Sequence, residues 1–489
     1  MLSQPQVHEP RFDDVKRGDL KTRLAGLQRR CEEAGLPVLV QIDGWECSGK
    51  GYVLTHLLRD LDPRSTSVHV FEDLSDEERE YPPSWRYWRA IPAQGQIAVF
   101  DRSVYTALMN RLDLDEADDE ARLAAFAATE RALTDSGMVV VKVFLDIDRD
   151  EQAKRIEEYA SDAREVLLDK RDRWQNKRFK ALSERFSDVL SRSNFAFAPW
   201  HVIDARHRKQ ASIEVLGVTC EAIEAALAAR EGVAQPPIER AYGTPPSIVG
   251  QVDLSLALDD DEYDDVLDDL QKEAGALAYR LAEARIATAM VFEGMDAAGK
   301  GGTIRRLVKR IDPRLLTINP TAAPSDMAKE HHYLWRFYNN LPPRGRIAVF
   351  DRSWYGRVMV ERVEEFATVP EWERAYGEIN AMEKEFTDDG GLLLKFFLYI
   401  DPDEQLARFE ARERDKPWKL TDEDWRNREK WDEYVAAVDE MLGRTSPDDA
   451  PWTVVAGNDK QYARVSVLRT FIEAATAALG SSDGSGKDD

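Results

Sequence analysis

The heptapeptide IAVFDRS occurs at residues 97–103 and again, unchanged, at 347–353 of this 489-residue chain. Sliding the sequence by 250 residues aligns 43–105 with 293–355 without a gap and gives 23 identities in 63 positions. After a further shift of three residues, KVFLDIDRDEQ, which begins at Lys142, matches KFFLYIDPDEQ. A spacing kept over such a length is typical of a duplicated domain rather than of a short-period repeat. The chain is therefore predicted to contain two copies of one domain.

The join between the copies is predicted in AQPPIERAYGTPPS (234–247), where prolines interrupt helices and no apolar periodicity survives. We therefore expect an N-terminal domain over 1–235 and a C-terminal domain over 236–480. The remaining residues, 481–489, are rich in Gly, Ser and Asp and are predicted to form a disordered tail. Two domains also suit a length that exceeds what one hydrophobic core usually organises.

The amino-acid composition argues against some classes of binding partner. The chain carries 67 Lys and Arg against 91 Asp and Glu, a net charge of −24, which opposes binding to nucleic acid or to anionic membranes. No apolar stretch is long enough to span a bilayer, and the N-terminus lacks a signal-peptide pattern. The three cysteines are far apart and in no metal-binding spacing, which indicates reduced thiols. We expect a cytoplasmic protein without nucleic-acid or membrane partners, and a homo-oligomer is compatible with this sequence.

Strand and helix patterns alternate within each copy. In the second copy the predicted strands are 286–293, 315–319, 346–350, 392–400 and 452–456. The predicted helical segments between them include 325–341, 371–387 and 421–442. This alternation predicts an α/β fold in which each copy forms a parallel sheet flanked by helices. In such folds ligands bind at the carboxyl ends of the strands.

The segment VFEGMDAAGKGGTI (291–304) is predicted to bind phosphate. A strand, a glycine loop, a lysine and a helix in this order direct backbone N–H groups and a mobile charge at an anion. The Ser or Thr that usually follows the lysine and binds Mg²⁺ is Gly301 here, so we expect Asp296 to supply the oxygen ligand instead. The alternative is a plain tight turn with Asp296 as a helix cap. The predicted phosphate-binding residues of this loop are Gly294, Gly299, Lys300, Gly301 and Gly302.

A second candidate element is RIAVFDRSWYGRV (346–358), an apolar strand that ends at Asp351. It resembles the second metal-holding motif of P-loop enzymes, and Arg352 follows at the end of the strand. Asp296 and Asp351, from adjacent strand ends, are predicted to share a Mg²⁺ ion that bridges phosphate oxygens. The alternative for Asp351 is a structural cap or an ion pair with Arg352.

The third element is DEQLARFEARERDKPWKLTDEDW (403–425). Arg408 and Arg412 are four residues apart and therefore lie on one helix face. Together with Arg414, Lys416 and Lys419 they form a local basic segment, and guanidinium groups suit phosphate oxygens. We expect this helix to act as a lid over the phosphate loop. The alternative is a solvated helix with internal ion pairs.

Three stretches together resemble the polyphosphate kinase 2 family: GMDAAGKGGTI, LWRFYNNLPPRGRIAVFDRSWYGRVMVERVE and RERDKPWKL. The resemblance covers nearly all of 286–475 and, more weakly, 36–225. It implies two tandem P-loop kinase-like domains, with a fold close to that of thymidylate kinase. It also implies phosphoryl transfer between inorganic polyphosphate and nucleotides. The tandem arrangement is similar to that of the members that phosphorylate AMP to ADP.

The resemblance also implies roles for individual residues. Asp296 and Asp351 correspond to the metal-binding and catalytic carboxylates. Lys300 and Arg352 correspond to phosphate clamps, and Arg408 and Arg412 to lid arginines. The expected cofactor is Mg²⁺, and the expected partners are inorganic polyphosphate and an adenine nucleotide. The nucleotide-binding candidates in the second stretch are Arg336, Arg352, Tyr355 and Arg357.

The two copies differ at the residues that carry this chemistry. The first copy keeps Gly44, Gly49, Lys50, Asp101 and Arg102. It has Glu46 for Asp296, Tyr52 for Gly302 and Val53 for Thr303, and its counterpart of the basic segment reads Tyr159, Ser161, Ala163 and Val166, with only Arg155 retained for Arg408. We therefore predict that the second copy is catalytic and that the first is a degenerate scaffold. A regulatory phosphate or nucleotide site in the first copy stays open.

Three alternative functions stay open on the sequence alone. The first is a polyphosphate kinase that acts on ADP or GDP. The second is an ATP-dependent nucleoside monophosphate kinase, which Gly301 disfavours because it offers no hydroxyl to the metal. The third is a non-catalytic polyphosphate-binding scaffold, which suits the first copy better than the second.

Overall fold

A computed structural model of the chain describes residues 10–113, 115–230, 247–415 and 417–482. The chain forms two compact units. The N-terminal unit consists of Met1–Glu78, Pro83–Pro236 and Asp326–His332, and the C-terminal unit of Arg79–Pro82, Pro237–Ser325 and Tyr333–Asp489. Among the helices of the described residues, none combines the length and the apolar character that crossing a bilayer requires.

The first copy of the repeat contains five strands: β1 Val38–Gly44, β2 Thr66–Val70, β3 Ile97–Asp101, β4 Val139–Asp146 and β5 Trp200–Asp204. Its helices are α1 Arg17–Ala34, α2 Lys50–Leu58, α3 Trp85–Trp88, α4 Val104–Met109, α5 Glu116–Asp135, α6 Arg149–Ala160, α7 Lys170–Lys177, α8 Phe179–Arg192 and α9 Arg208–Arg230. Short 3₁₀ turns cover Glu78–Glu80 and Ala163–Leu167.

The second copy repeats this order with strands β6 Thr288–Gly294, β7 Leu316–Pro320, β8 Ile347–Asp351, β9 Leu392–Tyr399 and β10 Trp452–Ala456. Its helices are α10 Asp260–Glu283, α11 Lys300–Leu307, α12 Asp326–Lys329, α13 Trp335–Tyr338, α14 Val360–Val363, α15 Val369–Asp388, α16 Pro402–Asp415, α17 Asp422–Glu429, α18 Trp431–Arg444 and α19 Lys460–Ser482. Its 3₁₀ turns are Val249–Gln251, Val308–Arg310, Trp354–Arg357 and Pro417–Lys419.

The two sheets have one topology. The first sheet has the order β2-β3-β1-β4-β5 and the second β7-β8-β6-β9-β10, and every pairing is parallel. The central strands β1 and β6 are buried on both faces, as continuous apolar strands of parallel sheets usually are. The predicted α/β fold, two tandem parallel sheets flanked by helices, is confirmed.

The pairing register sets which residues meet at the carboxyl edge of the second sheet. Phe292 of β6 pairs with Asp351 at the end of β8, and Gly294 pairs with Leu398 of β9. The glycine loop begins where β6 ends, at Gly294. Strand β8 ends at Asp351, beside this point. The same edge therefore carries the loop and the second predicted carboxylate.

Three predicted boundaries differ from the structure. The predicted helix over 325–341 is wrong, because only the single turns α12 and α13 form there. Four of its buried residues, Leu334, Phe337, Tyr338 and Leu341, do have helical spacing, but they lie around one short turn, and the part of the segment before them buries only Ala328. The segment 421–442 forms two helices that divide at Lys430 rather than one. Helix α19 continues to Ser482, into the predicted tail, and residues 483–489 and 234–246 lie outside the described part of the chain.

Candidate active site

The glycine loop of the second copy contains three residues with positive φ, Gly294, Ala297 and Gly299. Gly294 has φ 149°, and a Cβ atom there would lie 2.4 Å from the carbonyl oxygen of Leu398. Gly299 has φ 102° and precedes Lys300, the first residue of α11. Only glycine adopts both conformations without strain. The loop therefore wraps closely, and the N-terminus of α11 faces a cavity, where its free N–H groups favour an anion.

Lys300 lies at the base of this cavity. Its Nζ donates a hydrogen bond to the carbonyl oxygen of Gly294 over 2.6 Å. Within the part of the chain that the structure describes, no carboxylate lies within ion-pair distance of this amine. Burial lowers the pKa of Lys300, while the nearby Asp296 acts in the opposite direction. The amine is thus held in place by the backbone and keeps donors for a ligand.

Asp296 connects the loop to Arg352 at the end of β8 and to Asn427 of helix α17. Its Oδ1 lies 3.4 Å from Nη2 of Arg352, and its Oδ2 accepts a hydrogen bond of 2.8 Å from Nδ2 of Asn427. Arg352 has φ 63°, a strained conformation for a residue other than glycine. Strain of this kind persists where the surrounding structure fixes a side chain. Here it accompanies a guanidinium group turned toward the loop.

Asp351 lies beside the first turn of α11. A Cβ atom on Gly301 would lie 3.8 Å from Oδ2 of Asp351, so the absence of a side chain at Gly301 leaves this oxygen open to the cavity. Across the described ranges, no donor forms a hydrogen bond with the Asp351 carboxylate. Asp351 and Asp296 both border one cavity. That they share a Mg²⁺ ion stays a prediction.

Two cavities meet at these residues. The first, which we call the loop cavity, has a volume of about 490 Å³ and includes Lys300, Arg305, Asp351 and Arg412 in its lining. The second, the adjoining cavity, has a volume of about 470 Å³. Both are lined by Met295, Asp296, Lys300, Thr321, Arg352, Glu423 and Asn427. A ligand in either cavity therefore reaches the same lysine, arginine and carboxylate.

The adjoining cavity has a mixed lining that differs from that of the loop cavity. Its apolar walls are Met359, Val360, Phe366, Phe397, Trp431 and Val438. Its cationic groups are Lys300, Arg336, Arg352 and Arg426. An apolar cleft with a few convergent charged groups is typical of a site for a small molecule with an anionic end.

Arg408 is placed differently from the prediction. It is only 6% exposed, and its Nη1 donates to the carbonyl oxygen of Ala297 over 2.9 Å. Its Nη2 donates to the carbonyl oxygens of Gly457 and Asn458, each over 2.7 Å, and its Nε donates to Glu404. These hydrogen bonds connect Arg408 to the backbone of the glycine loop and of the segment after β10, so Arg408 stabilises the loop. The expectation that it acts as a lid arginine on the ligand is therefore corrected.

The rest of the basic segment is divided. Arg412 lies one turn after Arg408 and lines the loop cavity, and its role as a lid arginine on phosphate stays a prediction. Arg414 is exposed and lines neither of the two cavities. Lys416 and the side chain of Lys419 lie outside the described residues, so their predicted phosphate contacts stay predictions.

Two of the four nucleotide-binding candidates line a cavity, and two do not. Arg336 and Arg352 line the adjoining cavity. Tyr355 is fully buried, and its hydroxyl donates to Oε1 of Glu383 over 2.7 Å, so the prediction that it contacts nucleotide is corrected. Arg357 lines neither cavity. It lies 3.2 Å from Glu361 and over the ring of Tyr333.

Sequence reasoning missed several residues of the two cavities. Asn427, Glu423 and Thr321 line both, and Phe366 lines the adjoining cavity. One signal was present: Thr421 and Asp424 form a capping box that begins α17, the helix that carries Asn427. Nothing in the local pattern indicates Phe366 or Thr321.

The corresponding loop of the first copy is closed by its own side chains. Glu46 accepts a hydrogen bond of 3.2 Å from Nζ of Lys50 and two from Nη2 of Arg102, and it lies 3.9 Å from Arg171. Burial would raise the pKa of Glu46, but Lys50 and Arg102 lower it to about 2. The longer side chain thus reaches the lysine that Asp296 leaves open in the second copy.

Comparison with known proteins agrees with this geometry. The family model described as Polyphosphate kinase 2 (PPK2) matches residues 10–231 and 257–482. A polyphosphate:AMP phosphotransferase of Pseudomonas aeruginosa is 37% identical, with 95% of this chain and 96% of that protein covered. One of Pseudomonas syringae pv. tomato is 38% identical, with 92% of each chain covered.

A shorter relative and a solved structure add to this. An NDP-polyphosphate phosphotransferase of Ruegeria pomeroyi is 37% identical over 43% of this chain and 71% of that protein. A crystal structure described as a polyphosphate kinase 2 from Pseudomonas aeruginosa superposes with a TM-score of 0.84 at 34% identity, and 97% of each chain is covered.

Proposed function

This chain belongs to the polyphosphate kinase 2 family, and we propose that it transfers a phosphoryl group from inorganic polyphosphate to AMP to give ADP. We place the reaction in the C-terminal domain, residues 236–480, and assign residues 1–235 to a degenerate domain. The observation that carries the proposal is the meeting of two cavities at Asp296, Lys300 and Arg352. Such a site can hold a phosphoryl donor and an acceptor on opposite sides of one set of charges.

The loop cavity suits the donor. Polyphosphate carries about one negative charge per phosphate and no base, so it can be held by charge and hydrogen bonds alone. Lys300, Arg305 and Arg412 border this cavity together with the N-terminus of α11. Arginine forks and backbone N–H groups are the usual ligands of phosphate oxygens in proteins.

The adjoining cavity suits the nucleotide. Its apolar wall can bury a purine and a ribose, and Arg336 and Arg352 can hold the phosphate that accepts the transferred group. In the transfer, a phosphate oxygen of AMP forms a bond to the terminal phosphorus of polyphosphate. The bond between this phosphorus and the oxygen that bridges it to the rest of the chain breaks. The shortened chain leaves with the electron pair, and no covalent enzyme intermediate is needed.

The acidic residues of the site fit a magnesium ion. Mg²⁺ is usually bound by one or two carboxylates together with substrate phosphates and water. Asp351 offers an open carboxylate beside Gly301, and Asp296 borders the same cavity. Asp296 and Asp351 would hold the ion, and its charge would neutralise the phosphate oxygens during transfer.

The residues of the chain supply position and charge. Lys300 is fixed by the Gly294 carbonyl, so its remaining donors can meet the phosphoryl group without a large rearrangement. Arg352 lies between the two cavities and can follow the charge as it moves from donor to acceptor. Preorganised cations of this kind stabilise a transition state more than they stabilise the bound substrates.

In the first copy the corresponding cations are neutralised by a carboxylate of the protein itself. Lys50 and Arg102 are bound to Glu46, so a phosphate would have to displace a buried carboxylate to reach them. This internal pairing supports the assignment of the first copy as a scaffold.

A paired substitution tests this proposal. ADP formation is measured from AMP and long-chain polyphosphate with Mg²⁺ for the parent, Lys300→Ala and Lys50→Ala. Lys300→Ala should lower kcat/KM by roughly 10²–10³-fold, and Lys50→Ala by less than about threefold. The parent is also assayed with ATP in place of polyphosphate, and ATP as the better donor would favour a nucleoside monophosphate kinase. Loss of activity in Lys50→Ala with a mild effect of Lys300→Ala would reverse the assignment of the copies.

A further inference from the structure

Phe366 is an exposed aromatic side chain on a constrained loop. It is 71% exposed and yet lines the adjoining cavity. The loop that carries it is held by backbone hydrogen bonds, among them Ala367 N–H to the Glu361 carbonyl over 2.9 Å. Its neighbour Glu365 has φ 57°, a strained conformation for a residue with a side chain. The exposure of Phe366 is therefore imposed by the fold rather than permitted by a loose segment.

The same loop is anchored to helix α17 and to Lys430, the residue that follows it. Glu364 is only 7% exposed, and its carboxylate lies 3.1 Å from Arg426 and 3.2 Å from Lys430. Arg426 belongs to α17, the helix that also supplies Asn427 to Asp296. The position of Phe366 is thus tied to the helix that borders both cavities.

The other aromatic side chains of this cavity are Phe397, which is 1% exposed in strand β9, Trp431 and Tyr434. The ring of Trp431 packs near Tyr399, with centroids 6.5 Å apart, and the Tyr434 hydroxyl donates to Asn427 over 3.2 Å. Over the described ranges, Phe366 makes no contact with another aromatic ring. Single exposed apolar residues are common on protein surfaces and by themselves indicate nothing. Phe366 differs from such residues because its loop is held in place and because it lines a cavity that also contains arginine side chains.

We infer that Phe366 is the platform on which the base of the acceptor nucleotide stacks, an inference that rests on the proposed function. The phosphate of the nucleotide then lies at Arg336 and Arg352, and the base lies against the phenyl ring. Stacking uses the π-face that every base has, so Phe366 provides affinity for a nucleoside monophosphate over a sugar phosphate. It contributes little to the choice between adenine and guanine.

The test separates the base from the phosphate. KM for AMP, KM for polyphosphate and the inhibition constant of ribose 5-phosphate against AMP are measured for the parent, Phe366→Ala and Phe366→Trp. The matched control is Val369→Ala, an apolar residue that is 42% exposed on the same stretch of chain and lines neither cavity. Thermal unfolding of each variant checks that it folds.

Phe366→Ala should raise KM for AMP by about 5- to 150-fold, the range of a lost base–aromatic stack. KM for polyphosphate and the inhibition constant of ribose 5-phosphate should change by less than about twofold, and Phe366→Trp and Val369→Ala should resemble the parent. An unchanged KM for AMP in Phe366→Ala would overturn the inference, as would an equal loss for AMP and ribose 5-phosphate. A parent that makes no ADP from AMP and polyphosphate would instead refute the proposed function. If Phe366→Ala does not fold, Phe366→Leu replaces it with the same expected rise.

Discussion

Nζ of Lys50 lies 3.2 Å from Oε2 of Glu46, and both side chains are buried. The equivalent lysine of the second copy, Lys300, bonds only to the carbonyl oxygen of Gly294 among the described residues. Asp296, one methylene shorter than Glu46, is near Arg352 and Asn427 and forms no ion pair with Lys300 among the described residues. The two copies thus differ in how the central cation is used, although their sheets have the same order.

The Glu46 ion pairs make the stability of the N-terminal domain depend on pH in a predictable direction. Burial opposes ionisation, but Lys50 and Arg102 lower the folded-state pKa of Glu46 to about 2, below its ordinary value of 4.5. Because the folded pKa is the lower one, the ionised pair stabilises the fold above pH 4.5. This contribution is lost as the pH falls toward 2.

Glu46→Gln should accordingly lower the free energy of unfolding by on the order of 3 kcal/mol at pH 7. The difference between parent and variant should shrink between pH 4.5 and 2. Urea titrations at several pH values measure it, with the exposed Glu157→Gln as the control. A difference that stays constant over this range would contradict the ion pairing.

Arg408 and its counterpart Arg155 are expected to act on stability in both copies. Arg155 donates to the carbonyl oxygens of Ser48 and Ala205 over 2.7 and 2.8 Å, much as Arg408 donates to those of Ala297 and Gly457. Substitution by Ala leaves several buried carbonyls without a partner.

Each substitution to Ala should lower the free energy of unfolding by about 3 kcal/mol or more. Arg408→Ala should also lower kcat, whereas Arg155→Ala should leave kcat within about twofold in the folded protein. Thermal unfolding and steady-state kinetics give both readouts. If Arg408→Ala unfolds like the parent and only KM for polyphosphate rises, Arg408 contacts the donor after all.

Much of the site follows from short-range signals in the sequence. Gly294, Gly299 and Lys300 are placed by local geometry, because a strand, a positive-φ turn and a helix start leave few alternatives. Asp351 is placed by the end of an apolar strand. These are features of neighbouring residues, and the parallel register brings them together.

The directions of long side chains could not be predicted in this way. Spacing puts Arg408 and Arg412 on one helix face, but the carbonyl groups of Ala297 and Gly457, distant in sequence, attract only Arg408. Tyr355 follows Arg352 by three residues in the sequence, yet its hydroxyl group donates to Glu383 in the core. Phe366 belongs to no local pattern, because its role depends on which walls the fold brings around it.

Tyr355→Phe should affect stability and not the acceptor. The hydroxyl donates to Glu383 over 2.7 Å and accepts from Lys395 over 3.3 Å, and all three side chains are buried. Its removal should lower the free energy of unfolding by about 1–3 kcal/mol, since it leaves a buried carboxylate oxygen short of a partner. KM for AMP should stay within about twofold of the parent, whereas Arg336→Ala should raise it. A selective rise in KM for AMP in Tyr355→Phe would restore the original prediction that it binds nucleotide.

Asp296→Asn should raise the Mg²⁺ concentration needed for half-maximal rate by about tenfold or more, because one of two carboxylate ligands is lost. The amide can still accept from Asn427 and can no longer carry charge, so folding should be little affected. Activity is titrated against Mg²⁺ at fixed AMP and polyphosphate, and a chelator should abolish it in the parent. The control is Asp422→Asn at the start of helix α17, a residue that lines neither cavity. An unchanged Mg²⁺ requirement in Asp296→Asn would remove Asp296 from the metal site.

Arg412 and Arg414 offer a matched pair for the donor side. They lie two residues apart on α16, both carry a guanidinium group, and only Arg412 lines the loop cavity. Arg412→Ala should raise KM for polyphosphate by about 10- to 100-fold, as expected for charge-assisted hydrogen bonds to phosphate. Arg414→Ala should raise it by less than about threefold, and KM for AMP should be unchanged in both. Kinetics at two salt concentrations should show a weaker salt dependence in Arg412→Ala, because one phosphate contact is gone. Equal effects of the two substitutions would mean that the segment attracts polyphosphate by diffuse charge rather than through the cavity.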